Sequence, residues 1–234
     1  MGQCISCGTQ SKLITQSLSL CLDCIRTEFH HWSSHFKKIH SESRKKFNLP
    51  VDIPWSEIGI SCNFCGNKCK MAEYERGFCR LRTNQNQRLV HLAGTAKKGL
   101  VSWYYDPLPT NCVARWVCPA GTECGFPKYA YRRGVEYGYY NLAVFYEACS
   151  FNCLFCQNWH FRNTTVNNDT RSAKQLADAV TSVTACICYF GGDPSPQLPH
   201  AIAASRFALQ KTKGRILRIC WETNGNVYLL RVKM

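Results

Sequence analysis

Three cysteines within eight residues are the clearest chemical signal in the chain. Cys149, Cys153 and Cys156 stand in the run Cys-Ser-Phe-Asn-Cys-Leu-Phe-Cys. Three thiolates on one short loop can bind three corners of an iron–sulfur cubane and leave the fourth iron open to another ligand. Because three cysteines alone do not identify the metal, a structural zinc site is the alternative at this point.

Alternating strands and helices are predicted to position this loop. Apolar runs predict the strands, one of which ends at Cys149, and Ser172 has the residue type of a helix N-cap. The strands are predicted at 142–148, 186–190 and 216–221, and the helices at about 172–183 and 197–210. Such an order predicts parallel pairing through right-handed crossovers. Ligands of parallel sheets bind beyond the carboxyl ends of the strands.

The predicted strands are each followed by residues that suit ligand binding. The cysteine loop follows the first strand, the pair Gly191 and Gly192 with Asp193 follows the second, and Glu222 and Asn224 follow the third. The carboxyl ends of parallel strands meet at one edge of a sheet, so these residues are predicted to converge there. The alternative is that they are ordinary turn residues, since Gly-Gly and Asn-Gly are common in turns.

The cysteine spacing matches the Cys-x3-Cys-x2-Cys signature of the radical S-adenosylmethionine (SAM) superfamily, and Gly-Gly-Asp-Pro at 191–194 resembles that family's Gly-Gly-Glu-Pro segment. The resemblance implies a [4Fe–4S] cluster whose open iron is chelated by the amino and carboxylate groups of SAM. It also implies that Phe155 packs against adenine and that Gly191 and Gly192 approach the methionine moiety, with Asp193 near the SAM amino group. Reduction of the cluster would then cleave SAM to a 5′-deoxyadenosyl radical that abstracts hydrogen from a substrate.

A narrower resemblance is to the pyruvate formate-lyase activating enzyme-related proteins of archaea and bacteria. It is carried by Cys-Gln-Asn-Trp at 156–159, Glu-Thr-Asn-Gly at 222–225, and an upstream cysteine block that includes Arg-Gly-Phe at 76–78. The resemblance implies that Glu222 and Asn224 contact SAM or a bound cation. It further implies an oxidoreductase that takes an electron from a donor such as ferredoxin or flavodoxin and acts on a protein glycine or on an unknown substrate.

Two further sets of four cysteines have metal-binding spacing. The first set has the paired spacing of a zinc ribbon, in which a tetrahedral site folds a segment too small to bury a core, with a second iron–sulfur cluster as the alternative. The spacing of the second set fits zinc or iron–sulfur equally. The first set is Cys4, Cys7, Cys21 and Cys24, and the second is Cys62, Cys65, Cys69 and Cys79.

The remaining cysteines have weaker patterns. One group, with five residues between successive cysteines, predicts either an auxiliary cluster or free thiols. The other lies within predicted strands and is interpreted as core. The first is Cys112, Cys118 and Cys124, and the second is Cys186, Cys188 and Cys220. His31 and His35 are predicted to share a solvated helix face, with a metal pair as the alternative.

The composition limits the other classes of function that the chain could have. Seventeen cysteines among 234 residues favour metal binding in a reducing cytoplasm, and no apolar run is long enough to predict a membrane span. The formal charge of +14 suggests an acidic partner, while nucleic acid is unlikely because no recognition motif accompanies the charge. A non-catalytic iron–sulfur or zinc scaffold or electron carrier is the alternative to an enzyme.

The chain is predicted to have three parts. A zinc-ribbon-like segment with a basic helical tail is expected at 1–48, a cysteine-rich region at 49–138, and the first part of a radical SAM barrel at 139–234. The predicted fold class is therefore α/β, a partial (βα) barrel preceded by cysteine-rich metal-binding segments. Because a complete barrel takes roughly 250 residues, the barrel is expected to be incomplete at the carboxyl terminus and the chain to be a fragment with little activity alone.

Overall fold

The computed structural model describes residues 1–110, 112–164 and 169–228, which divide into two compact units. The first unit contains 1–52 and 152–155, and the second contains 53–151 and 156–234. Residues 229–234 of the predicted barrel segment lie outside the described part of the chain. The predicted boundaries at 48 and 138 stay predictions.

The first unit is small and has little apolar core. Strands β1 (Gly2–Gln3) and β2 (Gln10–Ser11) form an antiparallel pair, followed by helices α1 (Leu22–Thr27) and α2 (Ser33–Lys45). Its buried apolar cluster comprises two cysteines with Ile14 and Leu20. A core of this size contributes little stability by itself, so the unit depends on a further source of cohesion.

The α2 boundary decides between the two interpretations of the histidines. Helix α2 begins at Ser33, so His31 precedes it, and the predicted helical face shared with His35 is absent. His35 instead hydrogen-bonds the carbonyl oxygen of Leu18 through Nε2 at 2.8 Å. These contacts favour a structural use of His35 over a metal pair.

Two short hairpins open the second unit. Strand β3 (Ile60–Ser61) pairs with β4 (Lys70–Met71), and β5 (Arg82–Gln85) pairs with β6 (Arg88–His91), both antiparallel. Each of these strands has two to four residues. Such short strands do not display the alternation of apolar and polar residues by which a strand is predicted.

A four-stranded sheet with two helices forms the body of the second unit. Its strands lie in the order β10, β9, β8, β7, in which β8, β9 and β10 are parallel and β7 is antiparallel to β8. The elements are β7 (Val101–Pro107), β8 (Tyr140–Tyr146), α3 (Ala173–Asp178), β9 (Thr184–Gly191), α4 (Leu198–Lys211) and β10 (Arg218–Trp221). The predicted α/β class with a parallel sheet is confirmed, and within the described residues the sheet does not close into a barrel.

The two faces of this sheet differ in what they contact. Leu142, Val144, Ile187 and Tyr189 pack into the main buried cluster with α3 and α4. Because side chains alternate along a strand, the intervening residues of β8, β9 and β10 lie on the opposite face. In the described ranges, no helix is long and apolar enough to cross a membrane.

Candidate functional site

The loops that follow β8, β9 and β10 meet at one edge of the sheet. The backbone N–H of Gly192 donates to the carbonyl oxygen of Tyr146 at 2.7 Å, which joins the second loop to the end of β8. From the third loop, the side-chain amide of Asn224 donates to Ser150 Oγ at 3.1 Å. The structure thus brings together the three loops in which the sequence placed its candidate residues.

The cysteine loop begins directly after β8. Cys149 Sγ accepts a hydrogen bond from the backbone N–H of Phe151 at 3.3 Å and another from Asn224 Nδ2 at 3.7 Å. Cys149, Cys153 and Cys156 are all half-buried. Hydrogen bonds to cysteine sulfur are one way in which a protein adjusts the potential of an iron–sulfur cluster, so this environment suits a cluster ligand.

The middle of the cysteine loop belongs to the first unit. Residues 152–155 are grouped with it, and Asn152 Nδ2 donates to the carbonyl oxygen of His40 at 3.3 Å. Phe155 is 91% exposed. Its ring is thus accessible to solvent, and its contact with adenine stays a prediction.

Close backbone packing explains the glycine pair after β9. A Cβ atom added to Gly191, whose φ is +105°, would lie 2.6 Å from the backbone nitrogen of Tyr146. One added to Gly192 would lie 2.4 Å from the carbonyl oxygen of Ala148. Glycine is thus required to bring this turn against the end of β8. The sequence analysis explained this glycine pair by ligand binding, and the structure adds close backbone packing as a second explanation.

Asp193 connects the second and third loops. It is 2% exposed, and its Oδ1 accepts hydrogen bonds from Thr223 Oγ1 at 2.6 Å and from the backbone N–H of Asn224 at 3.0 Å. Its Oδ2 accepts the backbone N–H of Ser195 at 2.9 Å. Both carboxylate oxygens are used within the protein, so the geometry makes Asp193 a residue that holds Asn224 in position.

Glu222 faces the side of the sheet opposite the helices. Its backbone N–H donates to the carbonyl oxygen of Tyr189 at 2.9 Å, continuing the pairing of β10 with β9. Its Oε1 accepts a hydrogen bond from Cys188 Sγ at 3.5 Å. The side chain therefore lies near the loop edge and over the same face as the cysteines of β9.

The substitution Asp193→Asn is expected to destabilise the second unit by about 1–3 kcal/mol, because an amide NH₂ would face the backbone N–H of Ser195 and leave buried donors without acceptors. Amide exchange should also accelerate in 222–226. Urea unfolding and hydrogen exchange measure the two effects. Asp169→Asn, at an exposed ion pair with Arg171, is the control, and equal behaviour of the two variants would contradict the positioning role.

The four amino-terminal cysteines are arranged for a single metal ion. All four sulfur atoms lie within 4.8 Å of one another, and those of Cys7 and Cys21 are 3.7 Å apart. A tetrahedral ion with bonds of about 2.3 Å requires sulfur atoms about 3.8 Å apart. In the described part of the chain, no other group of three or more possible ligand residues is held this closely. The set that can bind one ion is Cys4, Cys7, Cys21 and Cys24.

Hydrogen bonds already favour a charged sulfur in this group. The backbone N–H of Cys7 is the main contribution that lowers the pKa of the Cys4 thiol to about 6. Thiolates are the form in which cysteine binds metal. The local backbone of the loop is thus arranged to support at least one metal-bound thiolate.

The second set of cysteines gathers around the β3–β4 hairpin. The backbone N–H of Cys62 donates to the carbonyl oxygen of Cys69 at 2.7 Å, and Cys69 Sγ accepts from the backbone N–H of Phe78 at 3.5 Å. Burial, with the charges of the neighbouring cysteines, raises the pKa of Cys65 to about 12 and that of Cys69 to about 11. The four thiols Cys62, Cys65, Cys69 and Cys79 therefore lie close enough to influence one another, and their use as a zinc or iron–sulfur site stays a prediction.

Comparison with known proteins identifies the segment that carries the site. Residues 143–231 match the model of the radical SAM superfamily. An uncharacterized protein of Methanocaldococcus jannaschii is 24% identical over 193 residues, which cover 78% of this chain and 43% of that protein. The chain thus spans less than half the length of this curated relative. No solved structure matches.

The matched segment is a radical SAM domain, and it contains β9 and β10, most of β8 and the Cys149–Cys156 loop. The match implies, for this segment, the [4Fe–4S] cluster and SAM that the superfamily uses as cofactors. The narrower resemblance to pyruvate formate-lyase activating enzymes is not shown by these comparisons and stays a prediction.

Proposed function

We propose that the protein is an enzyme that cleaves SAM reductively at a [4Fe–4S] cluster held by Cys149, Cys153 and Cys156. The observation that carries this proposal is the position of the cysteine loop, which follows the first parallel strand of the segment that matches the radical SAM superfamily. When bound and reduced, the cluster would supply the electron that cleaves the SAM sulfonium to a 5′-deoxyadenosyl radical.

The residues of the loop fit such a cluster. Three thiolates are the ligand type that iron–sulfur clusters use, and three rather than four leave one iron for SAM. The N–H groups of Phe151 and Asn224 that point at Cys149 Sγ add hydrogen bonds to a cluster sulfur ligand. The chemistry of the donor set therefore agrees with the family match.

The neighbouring loops would bind and orient SAM. Gly191 and Gly192 hold their turn against the end of β8, and the family resemblance implies that the backbone of this turn approaches the methionine moiety. Asp193 would act through Asn224, which it holds next to the cysteine loop. Phe155 would supply an exposed ring for adenine, and Glu222 a carboxylate near the SAM amino group or a cation.

The substrate and the electron donor are proposed only as classes. Hydrogen abstraction from a protein, as in glycyl-radical activation, is the reaction favoured by the narrower sequence resemblance, with an unknown substrate as the alternative. The net charge of +14 supports an acidic cytoplasmic electron donor such as a ferredoxin or flavodoxin, because opposite charge accelerates encounter.

We also propose that the amino-terminal tetrad binds zinc. Four thiolates at tetrahedral spacing complete the coordination of one ion, as in structural zinc sites. The ribbon, the cysteine-rich region and the barrel segment would then form three successive parts. For Cys62, Cys65, Cys69 and Cys79 the interacting thiols support a metal site, and zinc and iron–sulfur remain the two candidates.

The binding step of the proposal is tested by spectroscopy. The protein is reconstituted with iron and sulfide without oxygen, reduced with dithionite, and examined by electron paramagnetic resonance with and without SAM. The proposal expects SAM to change the signal of one cluster, since SAM would bind its open iron. A spectrum that is identical with and without saturating SAM would favour a non-catalytic iron–sulfur scaffold.

A further inference from the structure

Five cysteines from two groups that the sequence analysis treated separately line a single cavity in the second unit. Three lie on β9 and β10, on the face opposite α3 and α4, and two come from the segment between β7 and β8. The cavity measures about 190 Å³. Its cysteines are Cys112, Cys118, Cys186, Cys188 and Cys220. Cys186 and Cys188 are buried, in agreement with the interpretation of the strand cysteines as core, and they also line this cavity.

The strand register fixes the spacing of three of these thiols. Cys186 and Cys188 are two residues apart on β9, so both point to the same face with their Cα atoms about 6.7 Å apart. Cys220 is directly beside Cys188 in the parallel pair, at a strand spacing of about 4.8 Å. The Cα atoms of Cys188 and of its two neighbours are thus further apart than the roughly 3.8 Å between sulfur atoms around a single tetrahedral ion.

The other walls of the cavity carry charges of both signs. Arg218 lines it, and its Nη2 donates to Glu136 Oε2 at 2.5 Å, with the Glu136 side chain 2% exposed. Arg115 and Glu123 also contribute to the lining. The formal charges of these arginines and glutamates cancel, so the bound metal itself would offset the negative charge of its thiolates.

The thiols are close enough to influence one another. Burial is the main cause that raises the pKa of Cys186 to about 12 and that of Cys220 to about 11, and the charges of Cys118 and Cys112 add to the increase for Cys220. Without a cation, Cys186 and Cys220 therefore favour the neutral thiol. Bound metal reverses this preference, because a coordinating thiol loses its proton.

We propose that this cavity binds a second polynuclear metal centre, an iron–sulfur cluster, with ligands drawn from Cys186, Cys188 and Cys220 of the sheet and from Cys112 and Cys118 of the overlying segment. A single ion does not explain the arrangement, since these sulfur atoms are not among the described groups held within 4.8 Å. Thiolates that bind separate irons of one cluster lie further apart than thiolates that share a single ion, and the cluster also needs a larger cavity. A cavity of about 190 Å³, several times the roughly 30 Å³ share of one water, provides that room.

The test begins from a protein that lacks the proposed SAM cluster. In the background Cys149→Ala/Cys153→Ala/Cys156→Ala, one variant adds Cys186→Ala/Cys188→Ala/Cys220→Ala and a second adds Cys112→Ala/Cys118→Ala. Cys124→Ala is the matched control, because Cys124 lies in the same segment, is exposed and does not line the cavity. All proteins are reconstituted with iron and sulfide without oxygen, and iron, sulfide, zinc and the Mössbauer spectrum are measured.

Both added variants are expected to lose one cluster's content of iron and sulfide relative to the background, while the control keeps it. Circular dichroism shows whether each variant is folded, and the loop variant decides the result if the strand variant does not fold. Unchanged iron and sulfide in the folded variants, or loss of zinc in place of iron, would overturn the proposal. Because the background has no Cys149–Cys156 cluster, either outcome is independent of SAM cleavage.

Discussion

Replacement of Cys149, Cys153 or Cys156 by alanine is expected to reduce SAM cleavage to the level of a reaction without protein. Two thiolates cannot hold a cubane against loss of iron, so the open iron that would bind SAM disappears with the cluster. The iron and sulfide content should fall by one cluster, and the SAM-dependent change in the resonance spectrum should vanish. Iron bound by other cysteine groups should remain.

The control for this prediction is Cys124→Ala, which removes an exposed thiol. It should cleave SAM at the wild-type rate. If Cys153→Ala also cleaves SAM at the wild-type rate with its iron content unchanged, the loop does not hold the working cluster and the assignment of its three cysteines is wrong.

Replacement of Cys4 or Cys21 by alanine should release about one zinc ion per chain and unfold much of the first unit. Its buried apolar cluster contains Ile14 and Leu20 besides Cys4 and Cys24, so the metal must supply most of the folding free energy. Amide protection should be lost across 1–52 and retained in the sheet of the second unit. Zinc analysis and hydrogen exchange measure the two effects.

Leu13→Ala is the matched control within the first unit, since Leu13 is 92% exposed. It should keep both its zinc and its protection. Loss of iron with unchanged zinc in the Cys4 and Cys21 variants would instead support the iron–sulfur alternative for this group. Unchanged protection across 1–52 after loss of the metal would show that the unit does not depend on it.

The parallel part of the sheet could be predicted because its strands are buried on one or both faces and appear as apolar runs. The boundaries differ by a few residues. The first strand was predicted to continue to Ala148, but β8 ends at Tyr146. Beyond that point the chain turns, and the carbonyl oxygen of Ala148 accepts the backbone N–H of Asp193 at 2.8 Å, a contact that only the folded loops reveal.

The first helix shows the same limit of local patterns. Ser172 and Gln175 form the predicted cap as a reciprocal capping box, but α3 ends at Asp178 rather than near residue 183. Val180 is still buried, which is why the apolar pattern continued past the helix. The edge strand β7 was not predicted, because Val-Ser-Trp-Tyr-Tyr-Asp-Pro has no regular alternation and ends in proline.

Contacts between distant residues explain why only part of the site could be predicted. The order of strands indicated that the three loops converge, but not that Asp193 would hold Asn224 or that Asn224 would contact Ser150. Likewise, Cys188 and Cys220 are typical strand residues by sequence. Only the parallel register places them side by side, facing a cavity shared with a remote segment.

Reductive cleavage of SAM by the anaerobically reconstituted chain is a direct test of the proposed activity. The protein is mixed with SAM and dithionite, and 5′-deoxyadenosine and methionine are quantified by mass spectrometry. We expect both products to form in equal amounts, even at the low rate expected of this chain alone, because one electron breaks one carbon–sulfur bond and the resulting radical takes one hydrogen atom. A protein with a full complement of iron and sulfide that binds SAM but forms no 5′-deoxyadenosine would contradict it.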